Sequence, residues 1–224
     1  MVRLILAAPI SMTLLAALVM PGVWASAESP GRYQVSYFAS GSLAGWQEKI
    51  FAGQTDYQLV KLDGESVLQA FSKSSASGLF KQHSVNLKEY PYLNWRWRVE
   101  NHIDSGDERK KSGDDYVARI YLIINHKYLF WKRRAISYVW ANQSETGEIW
   151  NNAFAGDSVK MFALRSVTDK TNHWVHEKRN IYEDLKLVFD EEISSIDAVA
   201  IMTDTDNSSS KARTFYADIY FSVD

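Results

Sequence analysis

Over residues 91–99 the chain alternates strictly, with Leu93, Trp95, Trp97 and Val99 on one side and Asn94, Arg96 and Arg98 on the other. A period of two is that of a β-strand with one covered face. Two indoles on that face would each remove ~150–250 Å² from water, which places the strand mid-sheet over a thick core. Comparable patterns predict strands over residues 33–38, 46–51, 57–62, 67–72, 79–87, 116–124, 135–141, 160–166, 174–181, 196–203 and 212–223. In the 116–124 strand, Tyr116, Ala118, Ile120, Leu122 and Ile124 take the covered side, and Arg119 and Tyr121 the other. Asp63-Gly64 marks a tight hairpin. Residues 72–78 read as a loop or an irregular edge, 101–113 as a charged, solvated excursion, and 142–157 as a long loop of the kind that carries binding. Residues 182–189 alone read as a helix, with Leu185, Val188 and Phe189 on one side.

Many short strands with a single short helix near the C-terminus predict an all-β fold, a jelly-roll-like antiparallel β-sandwich. The strands are too many for a seven-stranded immunoglobulin sandwich, and a closed barrel is the remaining alternative. Residues 28–224 form one predicted domain. Residues 1–27 read as a signal peptide: Arg3 opens it, an apolar run follows, and Ala25-Ser26-Ala27 supplies small residues at a cleavage site. The expected location is therefore periplasmic or secreted, with no transmembrane span after cleavage. The chain has no cysteine, so the core must hold the fold without disulfides. Its formal charge is −2, and losing Arg3 makes it −3, a balance that favours neither nucleic acid nor an anionic membrane.

Residues 95–99 (Trp-Arg-Trp-Arg-Val), 113–121 (Gly-Asp-Asp-Tyr-Val-Ala-Arg-Ile-Tyr) and 202–207 (Met-Thr-Asp-Thr-Asp-Asn) resemble a bacterial family defined as the domain of unknown function numbered 3047. Residues 130–136 and 139–141 resemble it too, so the likeness covers nearly all of residues 28–224. It implies an exported bacterial domain and supplies no reaction, cofactor or catalytic residue. The ending at residues 216–221 is also similar, over a short span, to the last strand of sugar-binding jelly rolls.

Candidate chemistry centres on guanidiniums. If the strands carrying Arg96, Arg119 and Arg165 are neighbours, their rigid donor forks line one sheet face together with Asp115, Glu177 and Asp204. Such a face suits a saccharide or another small polar ligand. The competing reading is a set of cross-strand ion pairs that only solubilises the sheet. Trp131, Trp140, Trp150 and Trp174 fall at strand ends or in loops, where an indole either stacks on a sugar ring or closes the core. Trp150 and Trp174 are the expected rim of the groove, and Trp140 is expected in the core. Asp204, Asp206 and Asn207 alternate oxygens as in a calcium loop, but the sixth position is Ser209 and the twelfth Phe215, so the EF-hand pattern fails and turn capping is expected. His173 and His176 lie three apart on a predicted strand and face opposite sides, so no zinc site is expected.

The leading expectation is thus non-catalytic binding of a saccharide by Arg96, Asp115, Arg119, Trp150, Arg165, Trp174, Glu177, Asp204 and Asp206, with no metal and no cofactor. One alternative is a glycan-cleaving hydrolase or lyase using Glu177 with Asp115 or Asp204. The other is a structural envelope protein whose arginines stitch strands together.

Overall fold

The computed structural model describes residues 31–125 and 133–224. The expected signal peptide and Trp131 lie outside the described residues. The strands are β1 (Arg32–Gln34), β2 (Gln47–Ala52), β3 (Asp56–Leu62), β4 (Glu65–Lys73), β5 (Ala76–Asn86), β6 (Tyr92–Val99), β7 (Arg119–Asn125), β8 (Arg133–Trp140), β9 (Ile149–Asn152), β10 (Gly156–Arg165), β11 (Val175–Asn180), β12 (Ser195–Asp204), β13 (Lys211–Tyr216) and β14 (Tyr220–Ser222). Among the described residues a single α-helix, α1 (Ile181–Phe189), follows β11. Asn180 caps it by accepting the Glu183 N–H, and it ends at Asp190 in the left-handed conformation.

Two seven-stranded sheets pack face to face, so the sandwich expectation holds. In the first sheet the order is β1-β14-β6-β13-β4-β3, with β11 also paired to β6. The aromatic strand β6 is therefore central. One edge takes β13 and β14, and the other takes β11. The second sheet runs β2-β5-β12-β7-β8-β10-β9. Asp63 and Gly64 both take positive φ between Leu62 and Glu65, the geometry of a two-residue hairpin.

The expected all-antiparallel pairing has one departure: β8 and β10 are parallel. The long 142–157 segment contains β9, which hairpins onto β10, so β10 enters beside β8 in the same direction. Three other local expectations change. Residues 76–78 belong to β5 rather than a loop or an irregular edge, because the reversal needs only Ser74 at positive φ. Residues 212–223 split into β13 and β14. The 101–113 excursion is packed, with Ile103, Ser105 and Glu108 buried. Its anchor is the Glu108 carboxylate, which accepts the N–H groups of Asn142, Gln143 and Ser144 at 2.8, 3.2 and 2.6 Å.

The core confirms the reading of residues 91–99. Trp95 and Trp97 are fully covered and meet edge to face at 5.4 Å. Trp95 stacks on Tyr138 at 5.6 Å, and Trp97 meets Trp140 at 6.0 Å, so aromatic contacts tie the two sheets together. Polar struts close the side where β11 faces β8 and β10. The Glu177 carboxylate accepts from the Trp97 indole and from Arg165, and Asp184 accepts from both Tyr138 and Arg179.

Candidate functional site

The three arginines expected on one surface lie on three separate walls. Arg96 is on the outer face of the first sheet, where its guanidinium holds Glu65 at 2.6 Å and covers the Trp174 ring at 5.2 Å. Trp174 packs there with Val60, Leu62, Val67, Phe215 and Ala217. Arg98, beside them, pairs with Asp63 at 3.1 Å. This face is a set of cross-strand pairs laid over a small apolar patch. Arg165 belongs to the inter-sheet strut, with its Nε 2.7 Å from the Glu177 carboxylate. Glu177 and Asp115 are therefore not neighbours across a common cleft: Glu177 is buried in the strut, and Asp115 sits at the entrance to β7. The sequence placed all three arginines correctly on strands. It could not show that β6 and β7 belong to different sheets.

Arg119 does meet one of the three expected acids, Asp204, but under cover rather than on an open floor. It is 2 % exposed and binds the Asp204 carboxylate with two guanidinium nitrogens. The same group donates to the Asp114 carbonyl at 2.8 Å and to the Tyr121 hydroxyl at 3.0 Å, and lies over the Tyr116 ring. Burial opposes its charge, yet the surrounding Tyr121, Asp114, Tyr116 and Asp115 hold its pKa above the ordinary arginine value. Desolvation lifts the Asp114 carboxyl, and Arg119 offsets only part of that.

Asp115 caps the loop after β12. Its carboxylate accepts from the backbone and side-chain nitrogens of Asn207 at 3.2 and 3.1 Å, and from the Ser208 N–H at 2.6 Å. Asp115, Asp204 and Asp206 offer oxygens within 4.8 Å of one another, so they are the residues that could hold a cation. Those of Asp115 and Asp204 already accept from the loop amides and from Arg119 respectively. Desolvation first, and then the Asp115 charge, raise the Asp206 pKa. A raised carboxyl pKa means that ionisation weakens the fold, and the penalty grows as pH climbs through the unfolded value near ~4. Asp206→Asn should therefore be more stable than the parent at pH 7, by less than ~1 kcal/mol for this solvent-screened group, and equal to it below pH ~3. Urea unfolding at the two pH values checks the sign, and a parent that is more stable at pH 7 refutes it.

Among the described residues, an open concavity lies elsewhere on the second sheet, on its outer face. Strand register builds it row by row. Phe80, Ala200 and Tyr121 stand side by side, next to a row of Gln82, Ala198, Ile123, Ala135 and Val159, while Ser137 and Met161, which continue the first row, are fully covered. Gly78 and Met202 continue the floor toward Arg119. Small side chains at Gly78, Ala198, Ala200 and Ala135 leave the middle low. Gln47, Lys49 and Phe51 on β2 form one bank, and Asn152, Ala155 and Val159 the other. The resulting groove encloses about 880 Å³. Phe51 is 59 % exposed there, a large apolar side chain presented to solvent. Asn152 links this groove to the buried acids, since its amide donates to Asp114 at 3.2 Å.

Of the predicted site residues, none lines this groove directly. Arg119 touches its floor through the Tyr121 hydroxyl, and Trp150 is 8 % exposed, packed with Tyr116, Val139, Ala141, Met161 and Ala163 in an outer apolar layer. The residues that do line it were passed over for a physical reason. A glycine inside a strand marks close backbone approach, but with residues 72–78 read as a loop or an irregular edge, Gly78 lost that meaning. Tyr121 was visible as the neighbour of Arg119 on the non-core face.

A family model described as "Protein of unknown function (DUF3047)" matches residues 44–220. No curated protein matches the chain. Among solved structures the chain is similar to a family 11 carbohydrate-binding module from Clostridium thermocellum in complex with a β-1,3-1,4-mixed-linked tetrasaccharide, at TM-score 0.46 and 7 % identity, covering 87 % of this chain and 96 % of that one. It is also similar to the cellulose induced protein Cip1, at 0.47 and 9 %, covering 86 % and 97 %. A third is the xyloglucanase domain of NopAA from Sinorhizobium fredii in complex with cellobiose, at 0.43 and 11 %, covering 80 % and 93 %. At these identities the likeness is one of fold. Among the described residues, no helix is long and apolar enough to cross a membrane.

Proposed function

The chain belongs to the DUF3047 family, whose description names no reaction, and we propose that it is a non-catalytic module, exported after loss of residues 1–27, that binds an extended saccharide in the outer groove of the second sheet. The single observation that carries this reading is the groove itself. It is an open channel of about 880 Å³ on a seven-stranded sheet, with Phe51 exposed on its bank, Tyr121 on its floor and the amides of Gln47, Gln82 and Asn152 along it. Flat aromatic faces take the C–H side of a pyranose, and amides take its hydroxyls in pairs. The two carboxylates that line the groove already accept hydrogen bonds. Glu48 binds the Ser77 hydroxyl at 2.7 Å and the Gln54 amide at 2.6 Å, and Asp197 binds the Asn125 N–H at 2.8 Å. That engagement speaks for binding rather than for an acid pair astride a glycosidic bond.

The test is affinity electrophoresis of the exported protein, whose intact mass should begin at Glu28, through gels containing soluble polysaccharides. At least one polymer should retard it without new reducing ends. Phe51→Ala and Gln82→Ala should each weaken binding about tenfold, roughly 1.4 kcal/mol, while the melting temperature stays near the parent's. Retardation unchanged in both variants would sink the proposal, as would reducing ends released by the parent.

A further inference from the structure

We infer that the ligand of this groove is an anionic polysaccharide, an inference that rests on the groove reading above and adds the ligand's charge. The sequence carries a net charge of −2, yet the groove is lined by Lys49, Arg133 and Arg134 against Glu48 and Asp197. Arg134 is answered by Glu191 at 2.8 Å. Neither Lys49 nor Arg133 has a carboxylate within ion-pair distance among the described residues, and residues 126–132, next to Arg133 in sequence, contain no Asp or Glu. Lys49 lies instead over the Phe51 ring at 5.2 Å, which puts an ammonium beside the exposed aromatic face.

The floor has the same polarity. Arginine only donates, so Tyr121, which receives Arg119 at 3.0 Å, must be the acceptor in that bond. The phenolic proton of Tyr121 is thereby left for another partner, and no protein acceptor takes it among the described residues. Arg119 itself is fixed by Asp204, so this orientation is built in rather than chosen by the ligand. The groove thus presents an ammonium, a guanidinium and an oriented phenol, all donors, while Glu48 accepts at both oxygens and Asp197 at one, each from uncharged donors. A channel with two cations free of ion pairs and a donor held in a fixed direction matches a polymer bearing carboxylates or sulfates along its length.

The experiment compares sodium polygalacturonate, dextran sulfate and a neutral mixed-linked β-glucan by affinity electrophoresis of the exported protein at ~20 and ~200 mM NaCl, where screening of exposed charges differs strongly. Polygalacturonate is expected to bind, more weakly at the higher salt. The Lys49→Gln/Arg133→Gln double variant, altered at two exposed positions, should lose about tenfold, and Tyr121→Phe about fivefold, the scale of one hydrogen bond. Binding of dextran sulfate alone would still support an anionic ligand and would assign its charge to sulfate. Tight, salt-independent binding of the neutral glucan that Phe51→Ala weakens would overturn the inference and leave the groove reading intact. Wild-type affinity of the double variant for an anionic polymer would overturn it too. Failure of all three polymers to bind would overturn both readings.

Discussion

Arg119→Met is expected to destabilise the protein by about 3–5 kcal/mol, the cost of removing one partner from a buried ion pair and leaving the other uncompensated. The guanidinium is 2 % exposed, and its departure would strand the Asp204 carboxylate, itself 1 % exposed, together with the Asp114 carbonyl and the Tyr121 hydroxyl. Asp204 ends β12 and Arg119 begins β7, so the pair also pins the register of two neighbouring strands at the point where the 113–116 segment meets them. Desolvation already lifts the Asp114 carboxyl, and without Arg119 the Asn152 amide would be the one direct contact among the described residues that holds it ionised. Urea unfolding measures the loss. The double variant Arg119→Met/Asp204→Leu should recover much of it, because an apolar pair removes the unpaired charge as well as the bond. A single variant that loses less than ~1 kcal/mol, or a double that is no better than the single, would show that water reaches this cluster and that the pair is not buried in any energetic sense.

The same residue shows where sequence reasoning succeeded and where it stopped. Period-two alternation places Arg119 on the non-core face of its strand, and Asp204 is one of three acids expected beside the arginines as a group. What alternation cannot say is what lies over a face. The 101–113 segment looked solvated because residues 107–111 are all charged. One of those charges, Glu108, is the hook that folds the segment down, accepting three backbone N–H groups near the end of β8. Tyr116, whose hydroxyl donates to the Glu108 carbonyl, and Trp150, under the Arg109 guanidinium, end up beneath that region instead of facing water.

The fold class was legible because burial of one face imposes a period of two on every strand, whatever its partners. Strand order was not, since it depends on which edges meet, and nothing local to β6, β7 and β10 fixes that. Arg96, Arg119 and Arg165 were therefore assigned one surface when they occupy an outer face, a buried junction and a lateral strut. The groove was harder still to see. Its signal is the absence of bulk at Gly78, Ala198, Ala200 and Ala135, and small residues mean a depression only once the register sets them side by side.

Trp150→Ala separates the two kinds of aromatic residue on this face. The indole is 8 % exposed and sits against Met161 across the β9–β10 pairing, with the Arg109 guanidinium over it at 5.7 Å. Truncating a covered indole removes its burial and leaves a cavity among Tyr116, Val139 and Ala163, at a cost of about 3–5 kcal/mol. The fraction of Trp150→Ala that stays folded should bind polysaccharide with the parent's affinity, because Phe51, Tyr121 and Gln82 are untouched. Phe51→Ala, at 59 % exposure, should do the reverse, changing stability by no more than ~0.5 kcal/mol while weakening binding about tenfold. Thermal melts alongside affinity electrophoresis, with binding normalised to folded protein, read both quantities from one preparation. Should Trp150→Ala keep its stability and lose its ligand, the indole would be a sugar platform after all, and the binding surface would run from the groove onto β9.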